Sequence, residues 1–146
     1  MADETLLTFA TTLQVRDTCF CLHAQRAARV LGRRYDKALR PLDLTNGQFS
    51  LLMALNRPGS AGVSDLAAVL GMDRTTVTAM LKPLERRGLV ASAADGKDRR
   101  LRSLMLSDAG RELLVAALPV WKAVQAEIGT TLAEPERMLA ELRALG

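Results

Sequence analysis

The segment from Ser64 to Gly88, SDLAAVLGMDRTTVTAMLKPLERRG, constrains the fold of this 146-residue chain more than any other. It holds two short apolar-periodic runs that are separated by only Gly71, Met72 and Asp73. Ser64 and Asp73 are residue types that cap helix N-termini, and Gly71 and Gly88 are the type that ends helices in a left-handed conformation. Two helices joined by so short a break are typical of a helix-turn-helix.

A charged hairpin follows directly. The runs LVASAA and LRSLML predict two short strands around DGKD, because Asp-Gly supplies the backbone geometry of a tight turn. The hairpin carries one lysine and three arginines: Lys97, Arg99, Arg100 and Arg102. A basic hairpin behind a helix-turn-helix is typical of a wing, which is narrow enough to enter a minor groove.

The rest of the chain predicts helices. One long helix is expected from Thr12 to Leu39, ended by Pro41. Thr45 and Gln48 form a capping box that starts the next helix, Ser107 caps a long one, and Pro135 starts the last. The fold class we predict is mainly α with a small β-hairpin wing, that is, a winged helix-turn-helix plus N- and C-terminal dimerisation helices.

The helix after Ser107 carries two apolar stripes, and an isolated winged helix covers only one. Either the terminal helices pack on each other, or they pair with a second copy in a homodimer, which we favour. The predicted organisation is dimerisation helices at residues 1–40 and 111–146, with a DNA-binding region at residues 41–110.

Charge and composition narrow the function classes. Apolar residues make up 49% and charged residues 25%, as in ordinary globular proteins, and the net charge is +4. The surplus is concentrated in two basic blocks, residues 19–40 and 57–111, which suits a polyanion such as nucleic acid. The first block holds a helical stripe that either follows DNA, binds an anionic effector or is simply solvated: Arg26, Arg29, Arg33, Lys37 and Arg40.

Other classes are disfavoured. No run of about 18 apolar residues is present and the N-terminus is acidic, so we expect a cytoplasmic protein without a membrane partner. No phosphate-binding glycine loop and no spaced nucleophile and base occur, so we expect no enzyme and no cofactor. A winged helix used only for protein interaction remains as an alternative.

The helix from Arg74 to Arg86 has a face suited to a major groove. Val77, Leu81 and Leu84 form its buried stripe. The DNA-binding candidates around the rest of the helix are Arg74, Thr75, Thr76, Thr78 and Lys82. A solvated helix face is the alternative, and the adjoining basic hairpin favours DNA.

These residues resemble the MarR family of winged-helix transcription regulators. The runs are LTNGQFSLLMAL, VSDLAAVLGMDRTTVTAMLKPLERRGLV and KDRRLRSLMLSDAGREL. The most specific piece is the family's D-x-R, apolar strand and L-[ST]-x-x-G, which stands here as Asp98, Arg100, Leu106, Ser107 and Gly110.

The resemblance implies a homodimer that reads double-stranded DNA at a pseudo-palindromic operator, more often as a repressor, and that a small anionic or aromatic effector releases. It implies that Arg100 enters the minor groove, that Asp98 orients it, and that Arg99 and Arg102 meet phosphates. Pro83 departs from the pattern and is expected to bend the helix beyond Lys82.

The two cysteines leave three interpretations open. Cys19 and Cys21 are structural thiols, or redox sensors as in some family members, or, with His23, metal ligands. We expect no metal, because Cys19 and His23 would supply only two ligands on one helix face. On a continuous helix Cys19 and Cys21 point about 200° apart and would not form a disulfide with each other.

Overall fold

The computed structural model describes residues 7–94, 96–98 and 101–146, and the fold class expected from the sequence is confirmed. One compact unit ends at Arg34, and the second spans Tyr35–Gly146. In the described part of the chain the helices are α1 (Phe9–Thr18), α2 (Phe20–Leu39), a 3-10 turn (Arg40–Leu42), α3 (Asn46–Leu55), α4 (Val63–Leu70), α5 (Arg74–Arg86), α6 (Asp108–Gly129) and α7 (Pro135–Leu145). The strands are β1 (Val90–Ala94) and β2 (Arg102–Leu106). No helix in these ranges is long and apolar enough to cross a membrane.

The prediction of one helix from Thr12 to Leu39 is wrong, because the backbone breaks at Cys19. Cys19 is extended, with ψ of 108°, and its N–H still donates to the Val15 carbonyl at the end of α1. Its sulfur accepts the Leu22 N–H at 3.4 Å, so the same residue caps the start of α2. Asp, Thr, Cys and Phe are all poor helix formers, and four such residues in succession at positions 17–20 weaken the helix there.

The helix starts follow local capping chemistry. The predicted capping box is present, with the Thr45 hydroxyl accepting from Gln48 N–H and the Gln48 side chain accepting from Thr45 N–H. Asp73 caps α5 as predicted. The prediction that Ser64 caps α4 is wrong: the helix starts two residues earlier, because the Asp65 carboxylate accepts the Gly62 N–H at 3.0 Å and makes Gly62 the cap.

The wing is an antiparallel pair whose register runs from Val90 opposite Leu106 to Ala94 opposite Arg102. A third segment, which the sequence did not indicate, pairs with strand β2 of the wing. Ala61, in the loop before α4, exchanges two backbone hydrogen bonds of 2.9 Å with Leu104. The base of the wing is therefore joined to the helix-turn-helix twice: through the chain that leads from α5 into β1, and through the bridge between β2 and the loop before α4.

The core of the second unit is aliphatic and holds the helix-turn-helix rigid. Leu51, Leu52, Leu66, Leu81 and Leu104 are fully buried, and they come from α3, α4, α5 and β2. Burying each leucine side chain contributes about 1.5–3 kcal/mol. Phe49 and Trp121 stack with ring centroids 6.3 Å apart, which joins α3 to α6.

Candidate nucleic-acid interface

Helix α5 has one buried face and one open face. Val77, Leu81 and Leu84 are fully buried, which confirms the predicted stripe. Arg74 and Lys82 lie on the exposed side. The helix continues through Pro83 to Arg86, so the interior proline does not end it.

The open face of α5 borders a cleft of about 750 Å³. Its α5 side consists of Arg74, Thr75, Thr78, Ala79 and Lys82, and the opposite sides consist of residues 60–65 and residues 101–103. Four predicted DNA-binding residues of α5 and Arg102 of the wing thus lie around one concavity. Thr76 does not line it. Arg74 and Lys82 form no ion pair with any residue that the structure describes, so two unpaired cations line the cleft, together with the Asp65 carboxylate.

The sequence did not indicate that the loop before α4 and the first residues of α4 belong to this surface. Ser60, Gly62 and Ser64 line the cleft because the Ala61 bridge to Leu104 brings this loop against the wing. Pro58 and Gly59 indicate only a turn, and pairing between such distant residues leaves no local pattern. Gly62 was therefore not recognisable as a surface residue of the site.

The three threonines of α5 differ in whether their hydroxyls are available. Thr76 donates its hydroxyl to Asp73 at 2.8 Å, and Thr78 donates its hydroxyl to the Arg74 carbonyl at 2.8 Å. The Thr75 hydroxyl has no hydrogen-bond partner among the described residues. Thr75 is exposed and lines the cleft, so it alone of the three offers a free hydroxyl there.

Asp73 fixes the start of this helix. The Thr76 N–H donates to its carboxylate at 2.7 Å, and the Thr76 hydroxyl adds a second bond. These donors stabilise the carboxylate form, so they lower the pKa of Asp73 below its ordinary value, with the backbone bond as the largest cause. The negative charge of the ionised cap also interacts favourably with the positive end of the helix dipole.

The structure describes only some of the predicted DNA-binding residues of the wing. Arg99 and Arg100 lie outside the described residues. Asp98 belongs to the turn, where its carbonyl accepts the Leu101 N–H at 3.0 Å. Arg102 donates to the carboxylate of Glu85 in α5 and, at 3.0 Å, to the hydroxyl of Ser92 in β1. Its guanidinium therefore has partners within the protein, and Glu85 was not among the residues that the sequence singled out.

The thiols lie at the break between α1 and α2. Cys19 is half-buried, Cys21 is exposed, and both are free. The prediction that both cysteines lie on one continuous helix is wrong, since Cys19 is extended. The argument against a disulfide between Cys19 and Cys21 assumed that helix and therefore no longer applies. His23 Nε2 lies 3.2 Å from the Asp17 carbonyl. No group of three or more potential metal ligands occurs among the described residues.

Comparison with known proteins gives consistent matches. The model of the MarR family matches residues 44–101. The transcriptional regulator TtmR of Methylorubrum extorquens is 32% identical over 132 residues, which cover 90% of this chain and 68% of TtmR.

Solved structures agree with this. The Mycobacterium tuberculosis regulator MosR in complex with DNA is 40% identical, has a TM-score of 0.80, and the match covers 87% of this chain and 92% of MosR. The repressor CouR of Rhodococcus jostii on a 23-mer DNA duplex is 29% identical, with a TM-score of 0.75, covering 90% and 92%. CouR has also been solved with p-coumaroyl-CoA, and that structure is similar in fold, at 22% identity and a TM-score of 0.73, covering 88% and 90%.

Proposed function

The chain belongs to the MarR family of DNA-binding transcription regulators, not to a family of enzymes, and we propose that it acts as a dimeric repressor controlled by a small effector. The observation that carries the proposal is the cleft in which α5, the start of α4 and the base of the wing meet. CouR, which is similar over nine-tenths of the chain, is named a repressor and was solved on a DNA duplex.

Each candidate side chain has a role in this proposal. Helix α5 enters the major groove, where Thr75 offers a hydroxyl, Thr78 a methyl group, and Arg74 and Lys82 positive charges. Thr76 acts through the Asp73 cap and not by touching a base. Arg100 enters the minor groove with Asp98 orienting it, and Arg99 meets a phosphate; for the two arginines the support is the sequence motif.

The apolar surface of α7 supports a homodimer. No residue of α7 is buried, and its apolar side chains are between 42% and 78% exposed: Met138, Leu139, Leu142 and Leu145. A helix with an uncovered apolar side needs a partner surface. In a two-fold dimer, two α5 helices would read half-sites about one turn of DNA apart.

An effector would act by binding one dimer geometry better than the one that fits DNA. CouR binds p-coumaroyl-CoA, which is both aromatic and anionic, and we propose a ligand of that broad chemistry here. The exposed cations Arg26, Arg29 and Arg33 of α2 suit an anion, and they form no ion pair with any residue in the described part of the chain.

Selection of bound duplexes from a random library tests the proposal directly. We expect a pseudo-palindrome, and for the selected duplex a steep fall of affinity with salt because phosphate contacts release counterions. Arg100→Ala should weaken binding markedly, whereas Lys122→Ala, which removes one positive charge from an exposed position of α6, should not. Failure to enrich any sequence would contradict DNA reading and favour a winged helix for protein interaction.

Oxidant control through the thiols is the second candidate, and the helix break at Cys19 favours it. The Cys19 sulfur accepts a backbone hydrogen bond at the start of α2, so oxidation there would act directly on the junction of α1 and α2. If this candidate is right, peroxide releases the wild-type protein from its duplex and leaves a Cys19→Ala, Cys21→Ala variant bound. An equal response of both proteins, or none in the wild type, removes the candidate.

A further inference from the structure

The side chain of Arg102 lies between the cleft and the interior of the winged helix and is 40% exposed. Side chains alternate along a strand, so Arg102 shares the face of β2 on which Leu104 and Leu106 are buried, while Met105 points outward. That inner face packs against α3 and α4. The guanidinium reaches the carboxylate of Glu85, near the end of α5. Ser92, on β1, accepts a second bond from the same nitrogen at 3.0 Å.

The wing already has one fixed point where it leaves α5. The Leu89 N–H donates to the Leu84 carbonyl at 2.9 Å, and Ser107 donates to Leu89 through its N–H and to Gly88 through its hydroxyl. The Ala61 bridge also holds Leu104, in the middle of β2, to the loop before α4. Arg102, at the start of β2 and nearer the wing tip, adds a bond to α5 and so constrains the direction of the wing relative to that helix.

The charges argue against Arg102 as a phosphate contact. Arg102 lines the cleft, but its charge is offset by Glu85, whose side chain is only 21% exposed. An arginine that turned outward to a phosphate would leave a half-buried carboxylate unpaired beside the DNA surface, which costs free energy and repels DNA.

We propose that Arg102 and Glu85 form a clasp that sets the angle between the wing and α5, and that Arg102 is a positioning residue. The inference rests on the proposed DNA reading of α5 and the wing. Those elements must reach two grooves of one duplex together, so their relative direction decides how well a specific site fits. Non-specific binding depends on phosphate charge and tolerates a misaligned wing.

Removing the carboxylate gives opposite results under the two roles of Arg102. The variant is Glu85→Gln, measured by fluorescence anisotropy against the selected duplex and a scrambled duplex. We expect roughly tenfold weaker binding of the selected duplex, because the clasp is lost, and little change for the scrambled one. If Arg102 contacts a phosphate, Glu85→Gln instead tightens binding to both. Glu112→Gln, an exposed carboxylate lost from α6, is the matched control.

The arginine side of the pair completes the cycle. Arg102→Gln should match Glu85→Gln, and the double variant should lose no more than either single one. The slope of log affinity against log salt should stay unchanged, whereas a lost phosphate contact would reduce it by about 0.9. Arg111→Gln, which breaks a guanidinium bond of 3.2 Å to Asn56, is the control.

A variant that exchanges the charges of Glu85 and Arg102 also distinguishes a positioning role of Arg102 from a phosphate contact. Glu85→Arg with Arg102→Glu should restore affinity for the selected duplex, since the clasp re-forms with reversed polarity. Circular dichroism of each variant identifies one that fails to fold, and the sign of the Glu85→Gln effect decides the question without it. Tighter binding by Glu85→Gln would overturn the clasp and leave DNA reading intact, whereas a wild-type protein that selects no duplex would overturn DNA reading itself.

Discussion

Among single residues, Gly110 shows why the end of the family motif requires glycine. A Cβ at this position would lie 2.2 Å from the Leu89 carbonyl oxygen and 2.8 Å from a methyl carbon of Leu106. Gly110→Ala should therefore push α6 off the wing base and destabilise the fold by roughly 1–3 kcal/mol. Thermal unfolding measures this. Gly129→Ala in the same helix meets no atom within 4 Å and should leave the melting temperature equal or slightly higher. Equal melting temperatures for both variants would contradict the packing argument.

Also among single residues, the hydroxyl contacts separate the two threonines that face the cleft. Thr75→Val removes a free hydroxyl and keeps the shape, so we expect altered base preference at one position of each half-site. Thr78→Val should change little, because the Thr78 hydroxyl already donates to the Arg74 carbonyl. Thr78→Ser, which removes the methyl group, should weaken discrimination of thymine. Duplex selection with each variant is the measurement. A larger shift in preference for Thr78→Val than for Thr75→Val would count against this assignment.

Among whole elements, α5 depends on an ionised cap, which makes its stability sensitive to acid. The Thr76 N–H and then the Thr76 hydroxyl lower the pKa of Asp73. A lowered pKa means that the cap stabilises the fold fully above the usual value of about 3.9, and that this contribution disappears as the pH falls through the lower folded value. Urea unfolding between about pH 5 and pH 2 should thus depend less on pH in Asp73→Asn than in the wild type. Asp108→Asn, at the start of α6, is the control. An unchanged pH profile for Asp73→Asn would show that the cap does not act through its charge.

The elements predicted correctly are those that local chemistry determines. The Thr45 capping box, the Asp73 cap, the left-handed glycines at positions 71 and 88, and the strands about Asp-Gly each follow from a few adjacent residues. Two features were missed for different reasons. The break at Cys19 is local, but its cap is a thiol, which is not one of the preferred N-cap residue types. The Ala61 bridge needs a strand more than forty residues away. The same holds for the site. The open face of α5 could be predicted from the periodicity of its apolar residues, but the role proposed for Glu85 depends on its contact with Arg102 of β2, seventeen residues away.

For the whole molecule, the proposed dimer can be tested at the apolar side of α7. On α7, Met138 is 42% and Leu142 is 48% exposed. Because these two residues lie four apart, they share one side of the helix. A Met138→Glu, Leu142→Glu variant should sediment as a monomer where the wild type sediments as a dimer, since charges cannot be buried in an apolar interface. It should lose affinity for a duplex with two half-sites but keep that for a single half-site. Val69→Glu, which adds a charge at an exposed apolar position of α4, should leave the dimer unchanged. A wild-type monomer, or a charged variant that stays dimeric, would remove α7 from the interface.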